Sequence, residues 1–128
     1  MVIRDIIRTY SGAIYRNDIN EVHNVPINIT GLTGINKVPS LSILIWDNIN
    51  SAYRVATNAD IIDNNTDFVI LMESINLTGG AFSGNKLALT KASFDKKKVY
   101  FLNTSTNSFE FKPSNIVAYK HPRFKINE

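Results

Sequence analysis

The side chains able to do chemistry are few and scattered. Asp63-Asn64-Asn65-Thr66-Asp67 places oxygen ligands at alternate positions, as the first half of a calcium loop does. The second half is missing. Phe68 stands at the sixth position, where the sharp turn needs glycine, and Ser74 at the twelfth, with Glu73 one residue short. Asp and Asn in such a run otherwise serve as turn formers. Gly79, Gly80 and Gly84 ahead of Lys86 hint at a phosphate cradle. That chemistry needs lysine directly after glycine and a hydroxyl after the lysine, but Asn85 intervenes and Leu87 follows. A connection between two strands explains the glycines equally well. His23 and His121 are the only histidines, and no local spacing builds a nucleophile, base and orienter around either. The chain has no cysteine, which excludes disulfides and thiolate metal sites. These residues predict no catalytic set, no metal site, no cofactor and no enzyme.

One constellation remains. Lys96, Lys97 and Lys98 lie beside Tyr100, and Lys112, Lys120, His121, Arg123 and Lys125 follow. Single-stranded nucleic acid is held by cations along a groove and by aromatic faces on which bases stack, and Tyr100 and Tyr119 are candidates for those faces. The competing reading is a solvated turn and a charged tail, with both tyrosines in the core and lysines blunting strand edges against unwanted pairing.

The charge is split along the chain although the net value is only +3. Residues 1–39 carry four cations and three anions, residues 40–85 carry Arg54 against five acids, and residues 86–128 carry nine cations against three anions. Such a division fits a basic nucleic-acid surface, complementary surfaces for assembly, or a fold that simply mixes the two sets. At 128 residues the chain fits one domain, and 44% hydrophobic content is ordinary for a globular protein. The first residues are too often interrupted by charge for a signal peptide, and no run approaches a membrane span. Abundant Asn and Ile indicate an AT-rich gene.

The elements that must position these residues are mostly strands. Ile3, Ile6, Ile7, Tyr10 and Ile14 have helical spacing, which predicts a helix over residues 2–12 or an arm that orders on a neighbour. Residues 17–24 read as a loop. Val25, Ile27 and Ile29 alternate with polar residues, and Pro26 places that strand at an edge or at its start. The runs 41–46 and 68–72 are apolar on both faces and should be inner strands. The second is expected to continue through Ile75, and residues 78–85 to form a flexible loop. Strands are expected around Leu87 and Leu89, from the lysine run to Leu102, at Phe109 and Phe111 facing inward, and at residues 116–119. Roughly seven to nine short strands at this spacing predict a mainly β domain, a sandwich or barrel, with a short N-terminal helix or arm. The expected division is 1–24 as helix or arm and loop, 25–120 as β core and 121–128 as basic tail.

The order of an apolar strand ending in Trp46-Asp47, a short turn, Tyr53-Arg54-Val55-Ala56-Thr57, an acidic loop and Val69-Ile70-Leu71-Met72-Glu73 resembles the middle of tailed-phage head decoration proteins of the lambda-like kind. The resemblance covers about a third of the chain. It implies a small β protein that stabilises a capsid, with no active site to carry over. The expected partners are then other capsid or virion proteins and further copies of the chain, with no membrane and with nucleic acid as the alternative. The expected location is the virion, assembled in the host cytoplasm.

Overall fold

The computed structural model describes residues 13–15 and 20–128. It is built from eleven strands: β1 (Ile14–Tyr15), β2 (Glu21–Ile29), β3 (Lys37–Val38), β4 (Ile43–Asp47), β5 (Ala52–Val55), β6 (Phe68–Leu71), β7 (Ile75–Asn76), β8 (Phe82–Asp95), β9 (Tyr100–Asn103), β10 (Ser108–Phe111) and β11 (Phe124–Asn127). Single 3-10 turns at Lys96–Lys98 and Pro113–Asn115 are the only helical pieces among the described residues.

Five strands close into a barrel. β2 runs antiparallel to β8 over its whole length, β8 pairs with β6, β6 with β4, and β4 with β5. The ring closes where β5 meets β2, parallel and through the single register contact Ile27↔Tyr53. The end of β8 leaves the barrel, with β1 antiparallel on one side and β11 parallel on the other. The β9–β10 hairpin leans on the barrel through bridges from Tyr100 to Ser42 and from Leu102 to Thr57.

Alternate side chains of a strand point to opposite faces, so the apolar runs of β4 and β6 feed two cores. Leu44, Val69 and Leu71 join Val25, Ile27, Tyr53, Val55 and Ala88, a set drawn from all five barrel strands that fills the interior. Ile43, Ile45, Phe68 and Ile70 join Phe94, Phe101, Ile116 and Phe124 in a second core outside the barrel, roofed by the C-terminal third. Complete coverage on both faces is what such uninterrupted apolar runs require, and both expected inner strands are inner strands.

Several expectations need correction. The expected helix over residues 2–12 lies outside the described residues. Glu21–Asn24, expected as loop, is the first half of β2, so Pro26 sits mid-strand. Its missing N–H is tolerated where the β5 side of β2 is paired only at Ile27. The second apolar run ends at Leu71, and Ile75 belongs to β7, which pairs with β3. The expected flexible loop is a tight turn, Thr78 to Ala81, with Ser83, Gly84 and Asn85 already in β8. The lysine run is a 3-10 turn capped by Asp95, not the start of a strand. Phe111 faces solvent, and residues 116–119 form no named strand. The supposed basic tail contains β11, whose Phe124 is buried in the second core.

Candidate functional site

A cleft of about 350 Å³ opens where the residue 64–67 loop meets the start of the C-terminal strand. Tyr53, Asn64, Asp67, His121 and Arg123 are among its walls. Asp67 Oδ1 accepts from the Tyr53 hydroxyl and from Arg123 Nη2, both at 2.8 Å, and Arg123 also donates to the Phe68 carbonyl at 3.1 Å. Burial, and after it the bond to Asp67, pushes the Tyr53 phenol up to about 12, so it stays protonated as a donor. His121 Nε2 lies 2.8 Å from the Thr66 carbonyl, and Nδ1 lies 3.1 Å from the Arg123 amide nitrogen. Only the neutral ring with its hydrogen on Nε2 satisfies both contacts. The ring stands edge-on to Phe68 at 4.9 Å. Arg123 and His121 thus tie the C-terminal segment to Asp67, Phe68 and Thr66. The arrangement is a latch.

The half-motif for calcium is likewise occupied by its own loop. Asp63 Oδ1 accepts from the Asn65 amide and the Thr66 hydroxyl, each at 2.9 Å, and these bonds hold its carboxyl below the usual range. Asp67 points to the latch instead. Asp60 takes a two-pronged contact from Arg54, 2.9 Å on each arm, plus the Thr57 amide at 2.8 Å. Burial raises its carboxyl, but these bonds outweigh that and leave it lowered. Gly80 is no phosphate cradle: an added Cβ would stand 2.5 Å from the Leu32 carbonyl oxygen.

The basic constellation divides. Lys96 pairs with Glu128 at 3.0 Å, Lys112 with Glu110 at 3.6 Å, and Arg123 with Asp67. Lys97, Lys98, Lys120 and Lys125 are exposed and make no ion pair among the described residues. Tyr100 is half-buried and stacks on Phe111, with centroids 4.6 Å apart. The turn at 96–98 packs against the turn at 113–115, which brings Lys97 and Lys98 beside the open end of the β9–β10 hairpin where that ring pair lies. Lys120 and His121 sit at the latch, bonded to the residue 64–66 loop. The turn lysines with Tyr100 and the latch residues Lys120, His121 and Arg123 therefore form two groups, and Lys125 lies on β11.

One surface feature has no counterpart among the chemistry-bearing residues of the sequence. Ile62 and Ile116 bridge in parallel and are buried, so their neighbours turn outward: Ile61 and Val117 are each 54% exposed and Tyr119 is 87% exposed. The row is rigidly mounted. Val117 and Ala118 donate to the Ile62 carbonyl at 2.9 and 3.0 Å, and Asn64 Oδ1 accepts from the Tyr119 and Lys120 amides at 2.9 and 3.0 Å. The available signal was alternation in residues 116–119, where Ile116 and Ala118 are covered and Val117 and Tyr119 are not. No protein-family model matches the chain, and no curated protein matches it.

Proposed function

We propose that this chain is a non-enzymatic structural protein of a phage particle, an auxiliary or decoration component that stabilises the capsid through subunit contacts. The observation that carries this reading is the exposed apolar row Ile61, Val117 and Tyr119 on a rigid barrel. Adjacent large apolar side chains held outward by a fixed backbone are suited to protein contacts, because little conformational freedom is lost on docking. The phage setting rests on the resemblance around Trp46 to Glu73 and on the AT-rich composition. Mass spectrometry of purified virions from the source phage tests the reading. The chain is expected at stoichiometric abundance, and its absence from intact particles overturns the proposal.

A second reading is favoured by a different observation. Lys97 and Lys98 make no ion pair among the described residues and lie beside the open end of the β9–β10 hairpin, where Tyr100 stacks on Phe111. That end offers cations and a half-exposed ring to single-stranded nucleic acid. The complex would form at low salt and weaken steeply as salt is added. A mobility-shift titration that shows no complex at micromolar protein and low salt removes this reading.

A further inference from the structure

We infer that the row Ile61, Val117 and Tyr119 is a two-fold contact between two copies of this chain, and the inference rests on the assembly reading above. A two-fold interface is formed by one patch meeting itself, so the patch must be self-complementary in shape and charge. The apolar row meets this condition directly, since like apolar side chains pack on each other. Its rim meets it in charge. Asp63 follows Ile62 and is exposed, its carboxylate held by the Asn65 amide and Thr66 hydroxyl, and it makes no ion pair among the described residues. Lys120 follows Tyr119, is exposed, and makes no ion pair among the described residues. Asn64 joins the two sides by accepting from the Lys120 amide at 3.0 Å, so both charges border the same end of the row. Rotating one copy by a half turn brings each Asp63 to the other copy's Lys120, twice.

A head-to-tail contact would instead need an acidic patch elsewhere on the molecule. Asp60, Asp67, Glu73, Glu110 and Glu128 are all within ion-pair distance of cations of their own chain. Glu21, Asp47 and Asp95 also make no ion pair among the described residues, but they lie on β2, β4 and β8; Asp63 is the acid without one that borders the apolar row, which favours a second copy meeting the same patch. Three large side chains per copy make a small interface, and small interfaces are weak or transient.

Sedimentation velocity on the full chain, from micromolar to about millimolar protein, tests this. Wild type is expected to pass from monomer to dimer within that range. Tyr119→Asp is expected to weaken association at least roughly tenfold, since it places a charge in the apolar centre. Asp63→Lys and Lys120→Glu should each weaken it by placing like charges opposite each other. The double variant should regain the wild-type constant, because the exchanged pair is again complementary across the axis. A wild type that stays monomeric throughout, a Tyr119→Asp dimer as tight as wild type, or a double variant no better than its singles overturns the two-fold contact. Virion content is a separate measurement. A chain present in particles yet monomeric in solution sinks this inference and leaves the decoration reading standing, whereas a dimer absent from particles does the reverse.

Discussion

At Tyr53 the phenol is shut between barrel and latch. Burial and the hydrogen bond to Asp67 raise it to about 12, against an ordinary value near 10. A group whose proton is held more tightly in the folded state contributes stability that is fully present below pH ~10 and is lost as pH rises toward ~12. Tyr53→Phe removes that contribution. The stability difference between wild type and the variant, followed by thermal melts, should therefore be constant below pH ~10 and shrink above it. A difference that stays constant through that alkaline window contradicts the assignment. Gly80 is governed by space rather than charge. Its φ is +72°, and a Cβ would meet the Leu32 backbone at 2.5 Å, where Leu32 N–H also donates to the Gly80 carbonyl at 3.1 Å. Gly80→Ala is expected to destabilise by at least ~1–2 kcal/mol, from the left-handed conformation alone. Urea unfolding checks it, and a midpoint equal to wild type would mean the turn relaxes freely.

Among the elements, β11 shows how burial outweighs charge. Phe124 stacks on Phe68 with centroids 4.3 Å apart and meets Phe94 edge-on at 5.8 Å. Arg123, next in the chain, forms a half-exposed ion pair with Asp67 at 2.8 Å. Truncating a buried phenylalanine costs about 3–5 kcal/mol, whereas an exposed ion pair contributes about 0.2–1 kcal/mol. Phe124→Ala should thus raise hydrogen exchange across residues 92–95 and 124–127 far more than Arg123→Ala. Equal effects would show that the ion pair, and not the ring, holds the strand. What could be read from the sequence follows the same division. The runs forming β4 and β6 were legible because Ile43–Trp46 and Phe68–Met72 are apolar at every position, which leaves no polar face to turn outward. The first half of β2 was not, because Glu21, His23 and Asn24 are exposed and the strand is held there by backbone pairing to β8. Phe124 was masked by the cations around it. The latch was illegible for another reason: Tyr53 and Asp67 meet across Trp46 of β4, and Arg123 arrives with β11 on the end of β8, and no local spacing encodes that.

For the molecule as a whole, the charge split along the chain is partly erased by folding, since Asp67 of the acidic middle pairs with Arg123 of the basic third, and Glu73 with Lys86 at 3.7 Å. The core is divided in a more consequential way. The barrel interior and the outer core share the backbones of β4 and β6, with Leu44 on one side and Ile43 and Phe68 on the other. Neither core can melt without releasing strands that the other requires. Unfolding is therefore expected to be one cooperative transition despite two separate apolar clusters. Leu44→Ala, in the interior, should cost about 2–5 kcal/mol, and Phe68→Ala, in the outer core, about 3–5 kcal/mol. The single tryptophan, Trp46, sits at the end of β4 with its ring 5.1 Å from Tyr53, so its fluorescence reports the barrel. Far-UV circular dichroism reports the whole sheet. In both variants the two probes should trace the same shifted urea midpoint. If Phe68→Ala splits them, with dichroism lost before Trp46 fluorescence changes, then the outer core is an independent unit laid on a barrel that stands without it.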